Sequence, residues 1–280
     1  MRDGKKRFGG GGQGAKPPAP SPNPPPPTPY NKGLGGEFEE RAGEPRSPDP
    51  SPTESSRLRI CVPVVEASVQ RARGKYLRAA RKGLWAELRL DYLENPDLKR
   101  LFRSLPGPVI ATNRPRGEGG LWSGSEADRR RLLEEALTYG VQAVDVEFST
   151  EAAWRREFYA RRGQTRVILS WHDFSGTPEA AELEEIFSDM LAQEADILKL
   201  VTQAKIPADN LRLLALIPRA RAAGKDIIAF CMGPLGKWSR VAAPFLGSYL
   251  TFAPFNPKQA SAPGQITVNE LRRVWRVLRK

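Results

Sequence analysis

Short runs of apolar and β-branched residues recur along residues 57–280, and stretches with helical periodicity separate them. The eight runs are RICVPVV, LWAELRLDYL, PVIATNR, VQAVDVEF, TRVILSW, DILKLV, DIIAFCM and SYLTFA. Strands that alternate with amphipathic helices pair in parallel through right-handed crossovers. Eight such units in about 224 residues predict a (β/α)8 TIM barrel. A doubly wound sheet is the alternative, but it usually has a glycine-rich turn after its first strand, and RICVPVV is followed by none.

Two of the intervening segments indicate where helices begin and end. EADRRRLLEEALTYG follows Ser125, a residue type that caps helix N-termini, and stops at Gly140. TPEAAELEEIFSDMLAQEA opens with Thr177 and Pro178, which we interpret as a cap and first-turn pair. The apolar residues of both segments recur at helical spacing, so we interpret them as packing surfaces.

Residues 1–56 differ in composition from the rest of the chain. They hold 13 of the 26 prolines and 10 of the 25 glycines. Such a segment buries too little apolar surface to offset its ordering entropy. We therefore predict a disordered Pro/Gly-rich extension at residues 1–56 and one barrel domain at residues 57–280. The extension contains acidic residues and lacks the apolar run of a secretory signal, so we expect a cytoplasmic protein.

The net charge of +12 raises the question of a nucleic-acid partner. Acidic residues interleave with the basic ones in EADRRRLLEEAL and AAWRREFYARR, however, which is typical of solvated helix faces. Cys61 and Cys231 both lie within apolar runs, which favours a reducing compartment without disulfides. No apolar run approaches the roughly 18 residues of a membrane span. We expect neither nucleic acid nor membrane as a partner.

Charged side chains recur at alternate positions in the predicted strands, and active sites of (β/α)8 barrels form at the strands' carboxyl ends. Buried charges must pair with each other or with a polar ligand. One interpretation is a structural ion network. Another is that these charges bind a small polar substrate at the open end of the barrel. The predicted interior residues of this kind are Glu87, Arg89, Asp91, Arg114, Asp145, Glu147, His172 and Lys199.

His172 is the only histidine, and it follows the strand-like run TRVILSW. A lone histidine is often a buried ring that satisfies a backbone carbonyl, but it is also the side chain suited to general acid/base work at neutral pH. Lys199 shares its strand face with Ile197 and Val201, and an amine among apolar neighbours loses its proton more readily, as a Schiff-base nucleophile must. It could equally extend to solvent. Together the two residues suggest carbonyl chemistry through an imine.

Nine motifs, in chain order, resemble those of the type I 3-dehydroquinate dehydratases of the shikimate pathway. They are ICVP, ELRLD, TNRPRGEGG, VDVE, SWHDF, DILKL, MGPLGKWSR, GSYLTFA and SAPGQ. The resemblance covers residues 58–280 and leaves out the first 56. It implies that Lys199 forms the imine, that His172 is the general acid/base and that Glu118 is the partner of His172.

The resemblance also assigns residues to the substrate. Arg240 matches the arginine that binds the substrate carboxylate, and Ser261 and Gln265 lie on a loop, APFNPKQASAPGQ, that resembles the family's lid. Glu87, Arg89 and Arg114 match further substrate-contacting positions. Asp145 and Glu147 match an acidic pair behind the lysine, for which a supporting role is implied.

The activity that this resemblance implies is dehydration of 3-dehydroquinate to 3-dehydroshikimate by a homodimeric lyase without metal or organic cofactor. One histidine and two distant cysteines do not make a zinc site. A Schiff-base aldolase is a second interpretation, although it does not call for Arg240 together with SAPGQ. A third is a basic barrel without enzymatic activity, which binds anionic partners through its arginines and its proline-rich extension.

Overall fold

The computed structural model describes residues 58–279, so the extension predicted at residues 1–56 lies outside the described residues. The eight strands all pair in parallel, in the order β7-β6-β5-β4-β3-β2-β1-β8. They are β1 (Ile60–Val64), β2 (Trp85–Arg89), β3 (Val109–Thr112), β4 (Ala143–Glu147), β5 (Arg166–Asp173), β6 (Ile197–Gln203), β7 (Asp226–Met232) and β8 (Thr251–Phe252). From β2 to β7 each strand neighbours the strand before it in the sequence, and β8 pairs with β1. The predicted (β/α)8 barrel is confirmed, and the doubly wound alternative is wrong.

Helices follow the strands and cover the outside of the barrel. They are α1 (Val69–Arg81), α2 (Leu98–Leu101), α3 (Glu126–Leu137), α4 (Ala152–Arg161), α5 (Ala180–Leu191), α6 (Asp209–Ala222), α7 (Lys237–Ala242) and α8 (Val268–Leu278). Contacts close the barrel between β7 and β8: the Tyr249 N–H, just before β8, donates to the Ile227 carbonyl at 2.7 Å, and the rings of Phe230 and Phe252 pack edge to face with centroids 6.1 Å apart. No helix between residues 58 and 279 combines the length and the apolar character needed to span a bilayer.

The strands bury apolar side chains on both of their faces. Val144, Leu169 and Leu198 belong to the large cluster between strands and helices. The alternate positions Ile168, Ile197 and Ile228 belong to a second cluster inside the barrel. Burial of each such side chain stabilises the fold by about 1.5–3 kcal/mol. A barrel filled in this way is a rigid frame for the side chains at its mouth.

The start of one predicted helix is confirmed and that of another is wrong. The Ser125 hydroxyl accepts from the Asp128 N–H at 3.0 Å and caps α3 as expected. By contrast, α5 begins only at Ala180, and Thr177 does not cap it. The Thr177 hydroxyl lies 2.7 Å from that of Thr202 on β6. Thr177 therefore makes a tertiary contact with β6 instead of the helix cap that the local sequence predicted.

The interpretation of the basic helices as solvated faces is wrong for two arginines. Arg129 on α3 is 1% exposed and Arg155 on α4 is 6% exposed. Arg129 precedes Leu132, Leu133 and Ala136 by three, four and seven residues, so it lies on the buried stripe of its own helix. The mixture of charges in this segment does not indicate that Arg129 is buried, whereas its spacing from the apolar residues of the helix does.

Candidate active site

A pocket opens at the carboxyl ends of the strands. All nine residues to which the resemblance assigns catalysis or substrate binding line it, and Val201, Phe230, Met232 and Phe252 add an apolar wall. The nine are Glu87, Arg89, Arg114, Glu118, His172, Lys199, Arg240, Ser261 and Gln265. The structure therefore brings together residues that are up to 178 positions apart in the sequence.

Lys199 lies deeper in the barrel than a strand-end position. It is the third of seven residues in β6, and it is 5% exposed. Its Nζ donates to Asp145 Oδ2 at 2.8 Å and lies 3.6 Å from Glu87 Oε1. The expectation of apolar neighbours is only half right: Val201 lines the same pocket, but two carboxylates contact the amine itself. Glu87 is likewise the third of five residues in β2.

Arg114 joins Asp145 to the next carboxylate along β4. Its Nη2 lies 2.8 Å from Asp145 Oδ1, and its Nη1 lies 2.9 Å from Glu147 Oε1. Ser170 completes the cluster, since it accepts from Arg114 Nη1 at 2.7 Å and donates to Asp145 at 2.6 Å. These buried charges compensate one another, as the desolvation penalty requires.

Burial and charge separate the pKa values of the two β4 carboxyls. Burial alone would raise the pKa of Asp145, but the charges of Arg114 and Lys199 outweigh it and hold this pKa well below its usual range. Burial raises the pKa of Glu147 to about 7, and the charge of Asp145 adds to this while Arg114 and Arg129 oppose it. Asp145 is therefore a fixed anion, whereas Glu147 titrates near neutral pH.

His172 and Glu118 form a pair across the pocket. His172 Nδ1 lies 3.1 Å from Glu118 Oε2. A carboxylate at this distance accepts the Nδ1 proton, which leaves the Nε2 lone pair free to act as a base. Burial, with the nearby charge of Arg114, lowers the pKa of His172 to about 3. The ring is therefore neutral at physiological pH and able to accept a proton.

The loop after β3 places Glu118 within reach of His172. Glu118 ends a short 3-10 turn, Arg116–Glu118, and Gly119 follows in the left-handed conformation with φ 75°. A Cβ on Gly119 would overlap the ring of Phe174. Glycine is required here by both backbone and space, so this part of TNRPRGEGG is explained by geometry.

Arg240 is a buried cation without a carboxylate partner among residues 58–279. It is 1% exposed, and its guanidinium lies 4.3 Å from the centroid of Phe230. Its Nη2 donates to the Pro263 carbonyl at 3.3 Å, while Nε and Nη1 have no partner within the described structure. Burial lowers its pKa to about 9. An anionic group in the pocket would satisfy both the charge and the two open donors.

The other substrate-assigned residues are held by their neighbours. Arg89 makes a bidentate pair with Asp91, with distances of 2.8 and 2.7 Å. Ser261 and Gln265 bond to each other across their loop: the Ser261 N–H donates to Gln265 Oε1 at 3.0 Å, and Gln265 Nε2 to Ser261 Oγ at 3.2 Å. Between them Gly264 has φ 78°, and a Cβ there would overlap the Gly233 backbone. The loop therefore packs directly on the end of β7.

Four contributors to the site were missed by the sequence reasoning. Ser149 donates to Glu118 Oε1 at 2.5 Å, and the ring of Phe174 stacks on His172 with centroids 6.1 Å apart. Ser170 bridges Arg114 and Asp145, and Arg129 contacts Glu147 from outside the barrel. Phe174 lies within the quoted motif SWHDF, and Ser170 alternates with His172 on β5. The alternation rule was a signal for Ser170, whereas Ser149 is placed only by the fold.

Within residues 58–279, no three His, Cys, Asp or Glu side chains are grouped so that they could hold a metal ion. The pocket contains the Lys199 amine, and the neutral imidazole of His172 with its carboxylate partner. It also contains guanidinium groups, of which that of Arg240 has N–H donors without a hydrogen-bond partner. Such a set can form an imine, transfer a proton and bind a carboxylate.

Comparison with known proteins gives a consistent result. The sequence profile of the type I 3-dehydroquinase family matches residues 60–280. The chain is 38% identical over 220 residues to the 3-dehydroquinate dehydratase of Desulfotalea psychrophila, which covers 78% of this chain and 96% of that protein. It is 39% identical over 227 residues to that of Methanosarcina barkeri, which covers 77% of this chain and 92% of the relative.

A solved structure supports the same grouping. The crystal structure of 3-dehydroquinate dehydratase from Geobacillus kaustophilus matches with a TM-score of 0.73 at 29% identity, and the match covers 80% of this chain and 91% of the other. Because the family profile spans nearly the whole described barrel and relatives above 30% identity are matched over most of their length, the chain belongs to the type I 3-dehydroquinase family.

Proposed function

We propose that the protein is a 3-dehydroquinate dehydratase, a hydro-lyase (EC 4.2.1.10) that converts 3-dehydroquinate to 3-dehydroshikimate through a Schiff base on Lys199. The observation that carries the proposal is that one pocket combines the Lys199 amine, the His172–Glu118 pair and the buried Arg240. Family membership supports the choice of substrate, because the relatives are named for this reaction.

The reaction begins with the amine. Lys199 transfers a proton to a neighbouring base and attacks the C3 ketone, and loss of water gives a protonated imine. Asp145, 2.8 Å from Nζ, and Glu87, 3.6 Å away, are the carboxylates in contact with the amine. The iminium withdraws electrons from C2 and makes the C2 proton acidic.

His172 then transfers the proton. As a neutral base it takes the C2 proton, and an enamine forms while Glu118 stabilises the imidazolium. The imidazolium donates its proton to the C1 hydroxyl, the C1–O bond breaks, and water leaves as the C1–C2 double bond forms. Hydrolysis of the imine consumes one water and frees Lys199. The net change is the loss of one water from the substrate, with no cofactor.

Arg240 orients the substrate in this scheme. The carboxylate at C1 of 3-dehydroquinate is an anion that can accept hydrogen bonds from the two unpartnered nitrogens of Arg240. Because a guanidinium binds a carboxylate through two parallel hydrogen bonds, this contact also fixes the orientation of the substrate ring. The Ser261–Gln265 loop covers the site, and Glu87, Arg89 and Arg114 contact the hydroxyls and the carboxylate. Asp145 and Glu147 support Lys199 and Arg114.

Borohydride trapping tests the proposal. Enzyme incubated with 3-dehydroquinate and borohydride is digested, and the adduct is located by peptide mass spectrometry. We expect a substrate-sized adduct on Lys199, its absence in Lys199→Ala, and its retention in the matched control Lys205→Ala. Untreated enzyme should produce the ultraviolet absorbance of the conjugated product. Neither adduct nor absorbance would reject the proposal and favour the aldolase or the binding interpretation.

Within the same proposal, the protein acts in the shikimate pathway, in the cytoplasm. The product is the conjugated acid that this route to aromatic amino acids uses. Cys61 and Cys231 are both buried free thiols, which supports a reducing compartment.

The proposed homodimer has a candidate interface on α6, α7, the short turn Ala243–Leu246 after α7, and α8. An apolar groove there is lined by no charged residue, and several large side chains in it are exposed: Leu211, Trp238, Phe245, Leu246 and Leu278. Exposed apolar patches mark interaction sites, and an uncharged face can meet its own copy without repulsion. We expect Leu246→Glu to give a monomer by sedimentation velocity and the equally exposed Ile206→Glu to remain dimeric. A monomeric parent protein, or a dimeric Leu246→Glu, would contradict this interface.

A further inference from the structure

A chain of charges runs from the reactive amine through the barrel wall to the outer helix layer. Lys199 contacts Asp145, Asp145 contacts Arg114, and Arg114 contacts Glu147. The next member is Arg129 on α3, whose Nη1 donates to Glu147 Oε2. Arg129 does not line the pocket, and its acidic and basic neighbours in the sequence predicted a solvated helix face.

Four groups, of which Glu147 is one, hold Arg129 in place through five hydrogen bonds. Its Nη1 also donates to the Asn113 carbonyl at 3.2 Å, and its Nη2 donates to Thr150 Oγ1 at 2.9 Å. Glu126 accepts from Nε at 2.7 Å and from Nη2 at 2.8 Å. These hydrogen bonds fix the orientation of the buried guanidinium, and therefore also the geometry of its contact with Glu147.

Glu147 has two oxygens and an arginine on each. Oε2 accepts from Arg129, and Oε1 lies 2.9 Å from Arg114. Arg114 in turn lies 3.6 Å from Glu118, the partner of His172. The charge on Glu147 thus affects how firmly Arg114 is held in its position between Asp145 and Glu118.

We propose that Arg129 is a positioning residue for the dehydration: its ion pair with Glu147 favours the charged form of that carboxylate, and the carboxylate then holds Arg114 between Asp145 and Glu118. This inference rests on the proposed function. The charged groups that face Glu147 are Arg114 after β3, Arg129 on α3, Asp145 on β4 and Glu118 in the loop after β3. Two of the four are cations, so the loss of one leaves the buried carboxyl strongly biased toward its neutral form.

The direction of the effect on pH dependence follows. Burial already raises the pKa of Glu147 to about 7 while both arginines oppose the increase. Without Arg129 this pKa rises further, so Glu147 needs a higher pH to ionise and hold Arg114. A rise of about one unit lowers the ionised fraction at pH 7 from about one-half to about one-tenth.

The test is the pH profile of kcat for Arg129→Met, with Arg155→Met as the matched control. Arg155 is also a buried helix arginine, but it lies over the Phe148 ring at 4.9 Å, and no ion pair joins it to the site carboxylates within the described residues. For Arg129→Met we expect kcat at pH 7 to fall about fivefold, the acidic limb to move up by about one unit and activity to recover by about pH 9. Arg155→Met should lower thermal stability and leave the limb in place.

A double variant distinguishes a positioning role of Arg129 from a general loss of structure or activity. In a Glu147→Gln background the group that titrates is gone, so Arg129→Met should no longer move the limb. A uniform loss of activity at every pH, or the same shift in both backgrounds, would overturn the inference.

If Arg129→Met does not fold, Arg129→Lys takes its place, because the ammonium keeps one charge but not the paired donors. A smaller upward shift supports the inference, and a limb that coincides with that of the parent protein overturns it. Failure of the parent protein itself to turn over 3-dehydroquinate would reject the proposed function instead.

Discussion

Around Lys199, the two halves of the barrel interior differ in chemistry. On the side of β2 to β5, and in the loop after β3, the interior residues include Glu87, Arg114, Asp145 and Glu147. On the side of β7 and β8 they include Ile228, Phe230, Met232 and Phe252. Both halves are buried in the same frame, so the difference is not one of exposure.

Lys199 lies at the border between the two halves. Its Nζ is 2.8 Å from Asp145 on the charged side and 4.8 Å from the ring centroid of Phe252 on the apolar side. In the proposed reaction the charged half orients the amine and moves protons, while the apolar half excludes water and strengthens those electrostatic contacts. A reactive amine at such a border receives both effects.

Replacement of the base should have the largest effect. For His172→Asn we expect kcat to fall about 10²–10⁴-fold, because proton transfer to and from the substrate is lost. Lys199 is unchanged, so borohydride should still trap an adduct on it. Steady-state rates and mass spectrometry provide the two measurements. Turnover within tenfold of the parent protein would show that another group is the base.

The charged half should tolerate truncation of a contact less well than the apolar half. Asp145→Asn removes the anion between Lys199 and Arg114, and breaking such a buried pair costs about 3–5 kcal/mol of the free energy of unfolding. Ile228→Val, which deletes one methyl group from the apolar half, should cost about 0.5–1.5 kcal/mol. Urea unfolding of both variants compares them. A larger loss for Ile228→Val would reverse the contrast.

Acidification provides the smallest effect, and its sign depends on His172. The pKa of His172 is about 3 in the folded protein, below the ordinary value of 6.5 for a histidine, so the unfolded chain binds the proton more readily. Stability from this group is therefore complete above pH 6.5 and is lost as the pH falls toward 3. At pH 5.5 the loss is about 1.4 kcal/mol.

Comparison with His172→Asn isolates this contribution. Glu147 acts in the opposite direction, since its raised pKa means that the folded state gains stability as the pH falls below about 7, but it is present in both proteins. We expect the parent protein to lose about 1.4 kcal/mol more than the variant between pH 7.5 and 5.5 in urea unfolding. Parallel curves would mean that the ring is not desolvated as described.

Many features of the fold were predicted from local patterns in the sequence. Alternation of strands and helices led to the barrel, and alternation within strands led to the charged interior. The cap at Ser125 was equally local, since a side chain and an N–H three residues on decide it. For Glu118, Ser261 and Gln265 the signal was the resemblance of their motifs, because neither periodicity nor charge singles them out.

Long-range contacts account for what the sequence reasoning missed. Thr177 contacts Thr202 rather than its own helix, and Ser149 reaches Glu118 from 31 positions away. Arg129 appears as one basic residue among several until α3 turns it toward Glu147.

The sequence by itself determined the order of strands and helices, the residues of the family motifs and the caps that depend on neighbours. Periodicity and short-range hydrogen bonds act over a few residues, so the linear pattern contains them. Only the tertiary structure decided which charges compensate one another, that two carboxylates contact Lys199, and that Arg240 has open donors in the pocket. Ionisation and pairing depend on distance and burial in three dimensions, and these exist only once the barrel has closed.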